Sequence, residues 1–92
     1  MVWIEHLDWD EANAGHIFDR HRIGRSEVEE AVAHRLYLRR HGKRVIVLGK
    51  TDAGRYLTVI LEHEEHGVWR PVSARDSDQA ERSLLRRREG KR

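Results

Sequence analysis

The 92-residue sequence contains no cysteine, a single proline and no long apolar run. Without cysteine there is no disulfide, no thiolate nucleophile and no cysteine-ligated zinc, a pattern that fits a reducing compartment. The longest apolar run, Leu57–Leu61 with Thr58 inside it, falls far short of the roughly 20 residues that span a bilayer. The opening MVWIEHLDWDE has neither a basic n-region nor an apolar h-region, so no signal peptide is expected and a cytoplasmic protein is. Walker loops, dinucleotide fingerprints and G-x-S-x-G elbows are also missing, which removes support for glycine-rich phosphate cradling and for serine hydrolase chemistry.

What is present is a polar chain, 37% charged and 38% hydrophobic, with a net charge of +2. Its apolar residues are gathered into runs, so it reads as folded, and its length allows one domain over residues 1–92. All but three of the 18 cations are arginine. An arginine-rich genome produces such a bias, and so does recognition of phosphate, which the guanidinium binds in a planar, bidentate manner.

Local patterns predict a first strand at Val2–Leu7. A helix capped by Asp8 or Asp10 then runs to about His21, with Ala14, Ile17, Phe18 and His21 on its packed face. Ser26 and Glu29 have the spacing of a capping box, which starts a short helix near Glu27 that turns Val28, Ala31 and Val32 inward. Four strands follow, at Leu36–Arg39, Arg44–Lys50, Arg55–Glu62 and Val68–Arg75, separated by glycine-containing turns. The three long strands are expected to lie adjacent and antiparallel. Pro71 implies an open edge or a bulge in the last one. A final helix from Asp78 to about Glu89, capped by Asp76 or Ser77, carries few apolar residues, so residues 86–92 are expected to fray as a basic tail. The expectation is an α+β domain of order β-α-α-β-β-β-β-α with a small antiparallel sheet. Val45–Leu48 and Leu57–Leu61 are almost continuously apolar, as in strands covered on both faces.

Seven histidines invite a metal reading, and His63-Glu64-Glu65-His66 is the best candidate. Its i, i+3 spacing beside Gly67 lies between two strands, whereas the zinc protease signature needs i, i+4 on a helix. It reads as a solvated hairpin tip, and no metal or other cofactor is expected. What remains is a set of Arg, His, Glu and Tyr. RNA cleavage needs no cofactor, because the 2′-OH is the nucleophile and the remaining needs are a base, an acid and cations on the phosphorane. Arg55 opens the long strand and Glu62 closes it. Arg75 ends the last strand just before a helix N-terminus, and Arg20 and His21 end the first helix. Each also has a purely structural reading: Arg55 and Arg75 as partners of Asp52 and Asp76, His21 as a core histidine, and Glu62 as a strand-end charge.

Trp9-Asp10-Glu11-Ala12, then Arg20-His21 and Ile23 before a Ser-capped helix, resemble the BrnT family of toxins. Val47-Leu48-Gly49, Gly54-Arg55 opening an apolar strand, and Val72-Ser73-Ala74-Arg75 followed by a helix with Glu81-Arg82 continue the likeness, which covers about residues 8–90. The resemblance implies a RelE-like fold and a ribonuclease that inhibits translation. It implies a cognate, DNA-binding, BrnA-like antitoxin as partner, the complex repressing its own promoter. The family's Lys-His pair falls on Arg20 and His21, its strand-opening Arg on Arg55 and the Arg of its Ser-Ala-Arg motif on Arg75. Trp9 reads as packing. Arg22 stands where the family has Gly after the His, Ile17 near a common Asn, and Leu84-Leu85 near a late Tyr.

The reading on these grounds is a metal-free endoribonuclease toxin with catalytic residues Arg55, Arg75, His21 and Glu62 and RNA-binding residues Arg20 and Tyr56. The alternative is a non-catalytic BrnT-like module that binds a protein or nucleic acid. Arg55 and Arg75 are expected on the surface at one edge of the sheet, acting together on one phosphate. The isolated domain is expected to self-associate as a homodimer or to pair with a partner, through an apolar face its few helices leave open.

Overall fold

Reciprocal hydrogen bonds open the first helix. In the computed structural model, which describes residues 2–90, the Asp10 carboxylate accepts from the Asn13 amide at 2.9 Å and the Asn13 side chain accepts from the Asp10 amide at 2.8 Å. This box caps α1 (Glu11–His21), which follows the two-residue strand β1 (His6–Leu7). The predicted Val2–Leu7 strand is therefore much shorter. Its pairing is parallel, His6 with Val68 and Leu7 with Trp69, so the sheet is mixed, not purely antiparallel. On α1, Ile17 is buried as expected, but Phe18 is 47% exposed with the Arg22 guanidinium over its ring. Asn13 is the other inward side chain; its amide donates to the carbonyls of Asp8 and Pro71 and so ties the helix to the sheet.

Helix α2 (Arg25–Ala33) begins two residues earlier than expected. Glu27, not Glu29, reaches back to the N-cap, accepting from the Gly24 amide at 3.1 Å, while Glu29 accepts from the Trp9 indole. Val28, Ala31 and Val32 are buried as their spacing requires.

The remaining strands are β2 (Arg35–His41), β3 (Arg44–Lys50), β4 (Tyr56–Glu65) and β5 (Val68–Asp76), and the sheet order is β1-β5-β4-β3-β2. The three long strands are adjacent and antiparallel. Between Ile60 and Leu61 the β4–β5 register skips, so that Ile60 faces Ser73 and Leu61 faces Pro71; the expected bulge sits where proline removes a donor.

Period-two alternation divides the sheet into two faces. Val45, Val47, Leu57, Val59, Leu61 and Ala74 pack against Ile17, Ile23, Val28, Ala31 and Val32 of the α1–α2 layer. The layers approach closely at Gly49, where a Cβ would be driven into the carbonyl oxygen of Ala31. The other face carries Ile46, Leu48, Thr58 and Ile60 and receives α3 (Gln79–Gly90). Both central strands are thus covered on both sides, as their apolar runs imply.

Asp78 caps α3, accepting from the Glu81 amide at 2.8 Å while Glu81 accepts from the Asp78 amide at 2.8 Å; neither Asp76 nor Ser77 takes that role. The helix continues through residues 86–90, where fraying was expected; residues 91–92 lie outside the described residues. Only Leu85 of α3 is buried. Polar bonds hold the far end instead: Glu89 accepts from Lys50 Nζ at 3.0 Å and from the Tyr56 hydroxyl at 2.7 Å. Apolar counting misses this anchorage.

Candidate functional site

The candidate residues separate onto the two faces of the sheet and onto its two ends. Arg55 lies on the α1–α2 side. Its Nε and Nη2 donate to both carboxylate oxygens of Asp76 at 2.7 and 3.1 Å. Nη2 also reaches the His21 carbonyl, and Nη1 reaches the Arg22 carbonyl and the Glu27 carboxylate. All three nitrogens are in use, and the side chain is 29% exposed. One guanidinium therefore binds the last carbonyls of α1, the first turn of α2 and the end of β5. The hydrogen bonds from Arg55 hold the Asp76 carboxyl below the usual carboxylate range.

Arg22 explains why those carbonyls point at Arg55. It takes the left-handed conformation at the C-cap, with φ 55° and ψ 41°, and its amide donates to the Phe18 carbonyl at 2.7 Å. A non-glycine residue is disfavoured there. The position is the one the resemblance assigns to glycine.

Arg75 lies on the opposite face. It pairs across the ladder with Thr58, whereas Asp76, its neighbour, pairs with Leu57 on the core side. The two arginines therefore do not converge on one phosphate. They share a sheet edge, but successive side chains point to opposite faces, and β4 presents its α1–α2 face to Arg55 and its α3 face to Arg75. Nor is Arg55 a simple surface residue, given its bonds to three elements.

Arg75 donates to Glu81 in a fork, Nη1 to Oε1 at 2.7 Å and Nη2 to Oε2 at 2.9 Å, and is 42% exposed. Glu81 also accepts from the Thr58 hydroxyl, which bonds in turn to Ser77. Burial pushes the Glu81 carboxyl up, but the bonds from Arg75, the Asp78 amide and Thr58 together hold it below the usual range. Arg75 and Glu81 open onto a cavity of about 300 Å³ between the sheet and α3, with Tyr37, Arg39 and an apolar floor that includes Ile46 and Ile60. Thus a carboxylate that is ionised at neutral pH and two guanidinium groups meet at a recess large enough for a small ligand.

Glu62 does not join either group. It sits seven residues beyond Arg55 along β4, roughly 23 Å at strand rise, and accepts from Arg44 Nε at 3.0 Å. His21 contributes its carbonyl to the Arg55 cluster. Arg20 is exposed at the end of α1. Tyr56 is on the α3 face, and the bond to Glu89 raises its hydroxyl pKa. Sequence reasoning missed Glu81 as a partner of Arg75, and missed Tyr37 and Arg39 altogether. The S-A-R motif followed by a helix with Glu81 held the signal for the first. Tyr37 and Arg39 alternate along β2, a signal that becomes legible only when the covered face is known.

The hairpin histidines are engaged with aromatic rings. His63 meets Trp69 and His66 meets Trp3 edge-on, at centroid distances of 4.9 and 4.6 Å. Among the described residues no three His, Asp or Glu side chains are grouped to hold a metal ion, and no helix is long and apolar enough to cross a membrane.

Among solved structures, the chain is similar in fold to the crystal structure of the Brucella abortus ribonuclease toxin BrnT. The TM-score is 0.67 at 16% identity, over 82% of this chain and 99% of that one. No family model and no curated protein matches. Among the described residues, the α+β architecture with its five-stranded mixed sheet and three helices is that of the BrnT toxin fold.

Proposed function

We propose that this chain is the toxin of a type II toxin–antitoxin pair, a metal-free endoribonuclease that cleaves RNA and so inhibits translation. The observation that carries the proposal is the Arg75–Glu81 pair at the mouth of the α3-face cavity, within a fold that nearly spans a ribonuclease toxin from end to end. An RNA phosphate entering the cavity competes with Glu81 for Arg75, since carboxylate and phosphate both suit the guanidinium fork. Glu81, relieved of the partner that lowers its pKa, becomes the stronger base and takes the proton from the 2′-OH. The 2′-oxygen attacks the adjacent phosphorus, Arg75 and Arg39 stabilise the phosphorane, and the bond to the 5′-oxygen breaks as that oxygen takes a proton from water, leaving a 2′,3′-cyclic phosphate.

In this reading Tyr56 contacts RNA on the same face. Arg55 shapes the opposite face and His21 belongs to its cluster; Arg20 offers a cation there for a longer RNA. A cognate, DNA-binding, BrnA-like antitoxin, a cytoplasmic location and a homodimer of the isolated domain belong to the same proposal. One observation favours the second reading, a BrnT-like module that binds without cleaving: every nitrogen of Arg55 is already committed within the protein.

The test is incubation of purified protein with a long RNA in excess EDTA, for wild type and Arg75→Ala. Cleavage by wild type that EDTA leaves intact and Arg75→Ala abolishes is expected. Cleavage lost to EDTA would overturn the metal-free mechanism. Binding of RNA without cleavage would favour the module reading.

A further inference from the structure

Beside the cavity at Arg75 lies a second recess, of about 280 Å³, lined by Arg35, Leu36, Tyr37, Leu38 and Arg88. Tyr37 lines both. Arg88 belongs to the second recess, and its guanidinium carbon stands 5.1 Å from the centre of the Tyr37 ring. Arg39 and Arg75 belong to the first. The tyrosine therefore shares one recess with Arg88 and the other with Arg39 and Arg75, on β2, the edge strand of the sheet among the described residues.

We infer that Tyr37 is a base-stacking platform, and that the two recesses are neighbouring nucleotide subsites for single-stranded RNA. This rests on the ribonuclease reading for the identity of the cavity and adds the class of substrate that fits it. The chemistry is that of single-strand recognition: an aromatic face for a base and guanidinium groups for the phosphates on either side of it. Ile46, Leu48 and Ile60 give the first recess an apolar floor suited to the flat face of a base. The recess lies between a sheet and a helix, so a base enters only when it is unpaired and turned out of its strand; a duplex keeps its bases stacked inside. The aromatic ring favours RNA over an acidic peptide here: Tyr37 and Arg39 are alternate residues on one strand face, so a base on the ring brings its phosphate to the guanidinium, whereas a carboxylate side chain has no flat face to stack.

Binding and cleavage are measured separately on the full chain. A fluorescently labelled single-stranded oligoribonucleotide of mixed sequence, its duplex and a polyglutamate peptide are titrated into wild type, Tyr37→Phe and Tyr37→Leu, and the same proteins are assayed for cleavage. Tyr37→Leu keeps apolar bulk at the site without the flat ring. The expected result is single-strand binding that Tyr37→Phe retains and Tyr37→Leu weakens by about 5- to 150-fold, the range of one lost base stack, with weaker binding of the duplex. Equal binding by wild type and Tyr37→Leu, equal affinity for duplex, or preference for the acidic peptide overturns the platform. Cleavage that survives while Tyr37→Leu binds normally removes the platform and leaves the ribonuclease reading standing. Tyr37-dependent binding without cleavage supports the platform and removes the ribonuclease reading.

Discussion

Arg55 and Asp76 form a two-point contact, Nε to Oδ1 at 2.7 Å and Nη2 to Oδ2 at 3.1 Å, that closes the corner where α1, α2, β4 and β5 meet. Removing the guanidinium leaves two carboxylates and two helix-end carbonyls short of a donor. Because the cluster is only partly exposed, Arg55→Ala should cost about 1–3 kcal/mol of stability. Arg55→Lys should recover little, since an ammonium cannot reproduce the planar fork. Urea denaturation of the three proteins checks this; an unchanged midpoint for Arg55→Ala would show that the corner holds without it.

Arg75 should behave in the opposite way. Arg75 is 42% exposed, and Glu81, at 20%, keeps the Thr58 hydroxyl and the Asp78 amide as donors when the guanidinium is removed, so the pair contributes about 1 kcal/mol. Arg75→Ala should therefore melt close to wild type while RNA cleavage falls by roughly 10²-fold or more, the usual consequence of losing one donor to developing charge. Glu81→Gln should also lose cleavage, as the amide cannot accept the proton. Wild-type rates in both variants would remove the pair from the chemistry.

Gly49 tests the packing of the α1–α2 layer. Alanine normally improves on glycine in a strand by roughly 0.5–1 kcal/mol. Here the added methyl meets the backbone carbonyl of Ala31, which no side-chain rotation relieves, so steric cost decides the sign. Gly49→Ala should destabilise by about 1–3 kcal/mol. Thermal melting is the measurement, and a raised midpoint would mean that α2 yields more readily than its contacts suggest.

Asp10 should govern part of the acid response. The paired hydrogen bonds from Arg70, then the Asn13 amide, hold its carboxyl down at about 2 against an ordinary 3.8. With the folded-state pKa depressed, the ionised group supports folding above 3.8, and that support disappears as pH falls from there toward about 2. Asp10→Asn keeps a capping oxygen but does not titrate. Its stability should fall less steeply across that window than wild type, as followed by urea midpoints at successive pH values; parallel curves would place the acid dependence elsewhere.

Element order and the central strands were legible in the sequence because they depend on local signals. Gly54 and Gly67, at φ 95° and 77°, mark the turns of the meander, and the continuous apolar runs of β3 and β4 announce strands buried on both sides. Ile17, Val28, Ala31 and Val32 reach the core because helical spacing alone puts them on one face. Helix starts were less legible. Ser26-x-x-Glu29 and Gly24-x-x-Glu27 share one spacing, and the choice fell to Glu27 because its carboxylate also meets Arg55, a contact 28 residues away in the chain.

The candidate site depended on this longer-range level. Arg20, His21, Arg55, Tyr56, Glu62 and Arg75 were selectable by residue type and resemblance, but a list of cations contains no information about sheet faces. The offset by which Thr58 faces Arg75 while Leu57 faces Asp76 sends Arg55 into the helix corner and Arg75 into the cavity. The sequence by itself determined which segments form strands and helices, since turn conformation and side-chain period are properties of neighbouring residues. Tertiary structure alone decided which charges meet, because ladder register and the placement of α3 are set by burying both faces of the sheet at once.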